Sequence, residues 1–200
     1  MYKVLSCLLF IGIIALSGCG PTTQVTRIDS DTVVDLSGRW NDTDSRMVAE
    51  TMITDCLSHV WINNHNQTSG ERPVVIVGSI RNKSNEHIAT QTFISDIEKA
   101  FINSGKVRPV SDKSERDEIR EERADQSEHA AIETIKRMGR ELGADYMMTG
   151  EINTIEDREG GRQIVFYQTN LTLTNIESNE KVWIGEEKIK KYIGRKKFKM

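Results

Sequence analysis

The sequence contains few of the residues that build disulfide-linked or metal-held scaffolds. It has three cysteines, three prolines and four histidines among 200 residues, with no Cys-x-x-Cys or His-x-x-x-His pair. A disulfide framework or a zinc site is therefore not expected to organise the fold. We predict that the protein holds no metal and no cofactor.

Motifs for covalent or phosphate chemistry are also missing. The chain has no Gly-x-Ser-x-Gly and no phosphate-binding glycine loop, and Gly160-Gly161 suits a hairpin turn better. Most of its 30 acidic side chains lie beside Lys or Arg, as expected of solvated ion pairs. We predict no catalytic residue, although a hydrolase using two carboxylates stays open. The net charge of −3 argues against nucleic-acid binding.

The one long apolar run lies at the amino terminus. Lys3 precedes thirteen mostly apolar residues, VLSCLLFIGIIAL, a length typical of a secretory signal and too short for a membrane-spanning helix. The following Leu-Ser-Gly-Cys19 resembles the bacterial lipobox, in which the cysteine sulfur receives a diacylglyceryl group. We predict a signal peptide at 1–18 and lipidation at Cys19. The alternative is a membrane anchor or ordinary signal with an incidental cysteine.

Beyond the lipobox the chain divides by composition. Residues 19–32 are polar, with too little apolar surface to offset the entropy of ordering, and are predicted to be a lipid anchor and flexible tether. Residues 33–200 are predicted to form one globular domain. The predicted cleavage removes Cys7 with the signal peptide, and the predicted lipidation uses the thiol of Cys19. Cys56 then lacks an intramolecular partner and is predicted to be a small core residue.

The first part of the domain predicts one long helix. Asp42, Thr43 and Asp44 are candidate N-caps, and a stripe with four-residue spacing runs through Val48, Met52, Cys56 and Val60, widened by Leu57 and Trp61. The polar stretch NNHNQTSGER at 63–72 is predicted to be a turn.

A β-α-β pattern follows. Pro73–Ile80 is an uninterrupted apolar run, as in a central strand. TQTFISDIEKAFINSG has helical spacing through Phe93, Ile97 and Phe101, with Gly105 as its C′ residue. KVRPV is predicted to be an edge strand because Pro109 has no amide donor.

The remainder predicts a helical region and a meander. Residues 112–129 are strongly charged, typical of a solvated helix or loop, and a further helix would place Ile132, Ile135, Met138 and Leu142 inward. Strands from about Tyr146 onward are joined by turns. We predict an α/β (α+β) fold in which helices flank a small mixed sheet of four to five strands.

Four segments together resemble the LpoB lipoproteins: VVDLSGRWNDTDSRMVAETMITD, PVVIVGSIRNKSNEHIATQTFISDIEKAFINSGKVRPV, ELGADYMMTGEI and NLTLTNIESNEKVWIGEEKIKK. The resemblance covers roughly residues 33–191. It implies a fold similar to the amino-terminal domain of TolB, no active site, and a role in binding and activating a bifunctional (class A) penicillin-binding protein. Two alternatives stay open: a CsgG-like structural or secretion lipoprotein, and an envelope hydrolase.

The LpoB contact is a surface patch without a motif, so partner-binding residues are predicted from residue type and position. Arg39 and Trp40 lie at the join of tether and first helix, and Arg and Trp are frequent interface anchors. The alternative for Trp40 is packing against the domain. Arg81 and Asn82 follow the central strand, where loops commonly carry function. We expect a monomer.

Two features bear on the membrane. Gly20 follows the predicted lipidated cysteine, and in Gram-negative cells of the enteric type the absence of aspartate there predicts the outer membrane, with the domain facing the periplasm. In an organism with a single membrane, the same anchor would hold the protein on the outer face of that membrane. The terminal GRKKFKM places four cations and an aromatic residue together. Such a segment suits anionic lipid headgroups or serves as a solubilising tail.

Overall fold

The structure is a computed structural model that describes residues 24–30, 32–129 and 142–194, with only the backbone of 126–129. By its internal contacts the chain divides into a unit ending at Thr32 and a unit beginning at Val33. In the first unit, the described residues form no helix or strand, and the amide of Thr32 donates to the carbonyl of Asp29 (3.1 Å).

The second unit alternates helices and strands and then ends in three long strands. Its elements are α1 (Asp42–Cys56), α2 (Val60–Ser69), β1 (Val74–Asn82), α3 (Thr90–Ser104), β2 (Arg108–Val110), α4 (Lys113–His129), β3 (Tyr146–Glu159), β4 (Arg162–Asn175) and β5 (Lys181–Gly194). No helix within the described ranges is long and apolar enough to cross a bilayer. The predicted helix at 130–141 lies outside the described residues, and Leu142, predicted to point inward, is exposed.

The strands form one mixed sheet in the order β2-β1-β3-β4-β5. β1 is parallel to both neighbours, whereas β3, β4 and β5 form an antiparallel meander. The predicted fold class is confirmed, as are the central position of β1 and the edge position of β2, whose Pro109 pairs with Val75. The turn at Gly160-Gly161 joins β3 to β4, and both glycines have positive φ.

Helices α1 and α3 cover one face of the sheet, which we call the inner face; the opposite face is the outer face. Period-two alternation along the strands sends Tyr146, Met148 and Ile152 of β3 to the inner face, and they are buried. Phe93, Ile97 and Phe101 of α3 are fully buried, as their spacing predicts. The core therefore lies between this helical layer and the sheet.

Helix α1 begins one residue earlier than predicted. Asn41 is the N-cap: its side chain accepts from the amide of Asp44 (3.1 Å), and the Asp44 carboxylate accepts from the amide of Asn41 (2.9 Å). This capping box satisfies two amides that the helix leaves unpaired. Asp44 thus acts at the third helical position and not as the cap.

The single long helix predicted through Trp61 is wrong, because the chain breaks between Cys56 and Val60. The Cys56 carbonyl at the end of α1 accepts from the Trp61 indole N–H (2.8 Å) and from the amide of His59 (3.3 Å), so it has partners although the helix stops there. Val60 is consequently turned outward and is 70% exposed, against the predicted stripe. The predicted turn at 63–72 is mostly helix α2, which ends at Gly70 in the left-handed conformation (φ 71°).

Cys56 lies fully buried on the inner side of α1, which confirms its predicted core position. Burial raises the pKa of its thiol from 9.0 to about 12, while a hydrogen bond from Trp61 opposes the shift. A thiol whose folded-state pKa is raised stabilises the protein below the unfolded pKa, and this contribution is lost as pH rises above 9.

We predict that raising the pH from 8 to 10 lowers the free energy of unfolding of the natural chain by about 1.4 kcal/mol more than that of a Cys56→Ala variant. Urea denaturation of both proteins at each pH measures the difference. Parallel pH profiles, or rapid modification of the native thiol by a thiol reagent, would show that Cys56 is accessible to solvent.

Candidate partner-binding site

Trp40 packs against the domain at the start of α1. Its ring meets Phe93 and Tyr167 edge-on at centroid distances of 6.1 and 5.6 Å, and its indole N–H donates to Ser45 (2.8 Å). This is the packing alternative considered from the sequence, because the indole fixes the chain where it joins the helix. A direct partner contact by Trp40 stays a prediction.

Glu86 connects the residues before α1 with the loop after β1. Its carboxylate accepts from the backbone amide of Trp40 (3.2 Å) and from the hydroxyl of Tyr167 (2.8 Å). Burial, followed by the hydrogen bond and charge of Glu86, raises the pKa of Tyr167 well above its usual range. The loop after β1 is thereby tied to the residues before α1.

Asn82 orders the loop that carries Glu86. Its side-chain amide donates to the carbonyl of Glu86 (2.7 Å), while its side-chain oxygen accepts from the amide of Ser84 (2.9 Å). Such local bonds hold a loop in one conformation. Asn82 therefore acts on Glu86 and, through it, on Trp40. Arg81 instead approaches Glu151 (3.9 Å) on the outer face and is separated from this group.

Lys191 of β5 holds the segment before α1 from the other side. Its ammonium donates to Asp35 (2.7 Å), to Asp44 (2.6 Å) and to the carbonyl of Arg39 (3.1 Å). Burial alone would lower the pKa of Lys191, but the hydrogen bonds and charges of the two aspartates raise it. Reciprocally, the Lys191 hydrogen bond lowers the pKa of Asp35.

These contacts shape one wall of a groove of about 960 Å³, which we call the arginine groove. It lies between the residues before α1, the loop after β1 and the turn joining β3 to β4; its charged lining is Arg39, Glu86, His87, Glu156, Arg158, Glu159 and Arg162. Arg158 is paired with Glu156. The guanidinium groups of Arg39 and Arg162 form no ion pair with any part of the chain that the structure describes.

A second groove, of about 720 Å³, opens at the opposite end of the sheet. There His65 lies 3.2 Å from the Tyr146 hydroxyl and 3.7 Å from the Asp145 carboxylate, which also accepts from the amide of Val74 (2.7 Å). Asp145 and Tyr146 thus tie α2 to the start of the sheet. The described residues bring together no group of three or more His, Cys, Asp or Glu that could hold a metal ion.

Residue type and position predict Arg39, Trp40 and Asn82 as candidates but do not predict the residues that join them. Glu86, Tyr167 and Lys191 lie 46 to 156 residues from the partners they hold, in segments read only as loop or strand. Lys191 carries a weak signal, since period-two alternation places it on the buried side of β5 beside Ile189 and Ile193. A cation on that face predicts a carboxylate partner.

The comparisons with known proteins decide the family. The family model described as "Peptidoglycan-synthase activator LpoB" matches residues 44–189. The chain belongs to the LpoB family. No curated protein matches it.

Among solved structures, the chain is similar to the LpoB carboxy-terminal domain from Escherichia coli (16% identity, TM-score 0.42) and that from Salmonella enterica (15%, 0.40), each similarity covering 73% of this chain and 98% of the other. It is also similar to the solution structure of Escherichia coli LpoB (13%, 0.41), with 88% of each chain covered. The LpoB family is one of regulators of peptidoglycan synthesis and not a family of enzymes.

Proposed function

We propose that this LpoB-family protein is a lipoprotein that binds and activates a bifunctional, class A penicillin-binding protein. Residues 1–18 form its signal peptide, residues 19–32 its lipid anchor and tether, and residues 33–200 its synthase-binding domain. Cys19 anchors it in the outer membrane, facing the periplasm, and it acts as a monomer without a cofactor. The family match over residues 44–189 carries this proposal. Neither the CsgG-like alternative nor the hydrolase has a specific observation in its favour.

The arginine groove is the surface that we propose for the synthase. Asn82 and Lys191 donate, and Glu86 accepts, the hydrogen bonds that hold the wall carrying Arg39, so binding would order few additional side chains there. Arg39 and Arg162 line the groove, and their guanidinium groups pair with no acidic side chain in the ranges that the structure describes. Arginine is among the residue types that most often dominate binding energy. Trp40 contributes by fixing the backbone that carries Arg39.

Alanine at both Arg39 and Arg162 tests the surface. We expect the double variant of the unlipidated chain, residues 20–200, to bind a purified class A penicillin-binding protein at least tenfold more weakly, since two interface arginines each contribute about 1 kcal/mol or more. Stimulation of glycan-strand synthesis should fall in parallel. Binding is measured by titration, and an unchanged urea midpoint shows that the fold is intact.

Arg81→Ala is the matched control, because Arg81 is also exposed but lies on the outer face beside Glu151. It should leave the affinity within about twofold, as expected of a surface change outside the interface. The reverse pattern, weakened binding by Arg81→Ala alone, would move the docking surface to the outer face. A natural chain that neither binds nor stimulates any class A synthase of its organism would refute the function.

A further inference from the structure

Two carboxylates of the arginine groove already have partners within the chain. Both oxygens of Glu86 accept hydrogen bonds from neighbouring segments of the domain. Glu156, whose side chain is 16% exposed, accepts from the guanidinium of Arg158 and from the side-chain amide of Gln163 (3.1 Å). These carboxylates therefore have little remaining capacity to accept hydrogen bonds from a partner.

Two guanidinium groups of the groove have no such partner among the described residues. The backbone of Arg39 is held, since its amide donates to Ser37 (3.3 Å) and its carbonyl accepts from Lys191, whereas its side chain is exposed. Arg162 is exposed at the first position of β4, after the turn that joins β4 to β3. The unused hydrogen-bonding groups of the groove are therefore mainly positively charged N–H donors, which suit a carboxylate.

One carboxylate of the groove is also unpaired in the described part of the chain. Glu159 is exposed and is the cross-strand neighbour of Arg162, yet it forms no ion pair there. Opposed residues on antiparallel strands leave the sheet on the same side, so Glu159 lies where it would repel an anion that approaches Arg162. Neutralising Glu159 therefore tests the sign of the partner's charge.

The lining of the groove also narrows the class of ligand. Among its described lining residues, only Ile193 is apolar apart from two glycines, and the volume is about 960 Å³. Pockets of this size that bind small organic molecules are mostly lined by apolar side chains. A charged groove of this volume is better suited to a polar segment of another protein.

We propose that the arginine groove binds an acidic segment of the synthase, with Asp or Glu carboxylates accepting hydrogen bonds from the guanidinium groups of Arg39 and Arg162. A planar guanidinium can donate two parallel bonds to one carboxylate, which fixes the orientation of the partner as well as its charge. The acidic character of the segment rests on the proposed function, because it describes the partner of that function. A synthase that docks through apolar or basic residues would satisfy the proposed function without it.

Charge substitutions in the unlipidated chain, residues 20–200, test the sign of the docking segment. Titration with a purified class A penicillin-binding protein should show an affinity roughly fivefold lower at ~300 mM than at ~50 mM salt, because salt screens exposed charges. Arg39→Glu/Arg162→Glu should bind about tenfold more weakly than the double alanine variant, because like charges repel. Glu159→Gln should bind about threefold more tightly, since it removes a repulsive charge.

Glu151→Gln is the matched control for Glu159→Gln. It makes the same chemical change on the same strand, but beside Arg81 on the outer face and about 27 Å away along β3. Its affinity should stay within about twofold of that of the natural chain. Equal gains in the two variants would show that only the net charge of the protein matters, and would overturn the proposal.

Carbodiimide cross-linking identifies the residue of the synthase. Arg39→Lys/Arg162→Lys places an amine at each position, and the reagent condenses an amine with a carboxylate to an amide while one carboxylate oxygen leaves on the reagent as its urea. Mass spectrometry of the complex should find position 39 or 162 linked to an Asp or Glu of the synthase. Arg81→Lys should give no link at position 81. A complex that forms without a link from position 39 or 162 would overturn the proposal.

The remaining outcomes separate the acidic segment from the proposed function. Weaker synthase binding by Glu159→Gln, with tighter binding by Arg39→Glu/Arg162→Glu, would show a basic docking segment and refute the proposal while the function stands. Binding of the natural chain to purified peptidoglycan that the double glutamate variant abolishes, with synthase binding unchanged, would assign the groove to the cell wall and also refute it. A natural chain that binds no class A synthase would refute both.

Discussion

Replacement of Lys191 by methionine should lower the free energy of unfolding by about 3 kcal/mol. Methionine keeps the length of the side chain but removes the ammonium, leaving Asp44 with no cation in a site where its side chain is only 9% exposed. Removing one partner of a buried ion pair costs about 3–5 kcal/mol because the remaining charge is left uncompensated. The lower end applies here, since Asp35, the second partner, is half exposed.

Replacing Lys191 should also disturb the arginine groove. Lys191 donates to the carbonyl of Arg39, and Ile193 of the same strand fills the space beside Gly38, where an added Cβ would lie 2.5 Å from the Ile193 side chain. The segment before α1 is therefore held against β5 at two adjacent points. Lys191→Met removes one of these contacts and should weaken synthase binding as well as stability.

The pKa shifts give the sign of the pH dependence. Asp35 has a lowered folded-state pKa, so its contribution to stability is present above its unfolded value of 3.8 and is lost as pH falls through the folded value. Lys191 has a raised pKa, so its contribution is present below 10.5 and is lost as pH rises through the folded value. The variant should show a shallower loss on the acid side than the natural chain.

Urea denaturation at pH 7 measures the loss of stability in the Lys191→Met variant, and a second measurement at pH 3 shows whether its loss on the acid side is shallower. Lys190→Met is the matched control, because Lys190 adjoins Lys191 in sequence but is exposed on the outer face. Its effect should stay within about 0.5 kcal/mol. Equal losses in the two variants would show that the Lys191 contacts contribute nothing beyond an exposed charge. Adding Asp44→Asn to Lys191→Met should restore part of the stability.

Much of the fold follows from local patterns. Phe93, Ile97 and Phe101 mark the buried side of α3, and Gly105 ends that helix in the left-handed conformation, as the spacing and the glycine predict. Apolar runs predict β1, and turn residues between alternating segments predict the meander of β3, β4 and β5. These signals are reliable because burial of one face and the conformation of a glycine are decided within a few residues.

The break after Cys56 shows where local patterns stop being sufficient. The spacing Met52, Cys56, Val60 continues through the break, yet Val60 is exposed because the chain turns to place Trp61 in the core. The indole N–H reaches the Cys56 carbonyl, and the ring centroid lies 5.0 Å from that of Tyr146, on a strand far along the sequence. No periodicity within the helix could report them.

The candidate site was predictable only in its parts. Residue type and position predict Arg39, Trp40 and Asn82 as candidates, but the contacts among them depend on Glu86 and Lys191, which lie far from them in sequence. Long-range hydrogen bonds of this kind leave no local pattern in one sequence. Arg81 was grouped with Asn82 by adjacency, and the alternation of strand side chains places it on the outer face.

Deletion of Thr22–Ser30 should abolish activation of the synthase in cells. The predicted tether, Gly20–Thr32, spans at most about 45 Å when fully extended, at ~3.5 Å per residue, and roughly 20 Å as a coil. This stretch contains a single proline, so it is not stiffened into an extended proline-rich spacer. If the proposed function holds, the synthase must therefore come close to the anchor. Removing nine of the thirteen residues should hold the domain too near the membrane to contact the synthase.

The same deletion should have no effect in solution, where neither protein is held by a membrane. Purified residues 33–200 should stimulate glycan-strand synthesis as strongly as residues 20–200, because the arginine groove lies entirely within the second unit. A replacement of Thr22–Ser30 by nine Gly and Ser residues is the matched control, since it keeps the length and changes the sequence, and it should preserve activation in cells.

Cys19→Ala tests attachment to the membrane separately from the length of the tether. It should abolish incorporation of a radiolabelled fatty acid and release the protein from the membrane, because stable attachment requires the acyl chains. Label retained by this variant would contradict lipidation at Cys19. If the deletion strain keeps normal activation while the anchor is intact, the tether does not limit the distance to the synthase. The geometric argument for an outer-membrane anchor would then fail, since a synthase in the same membrane as the anchor would need no tether at all.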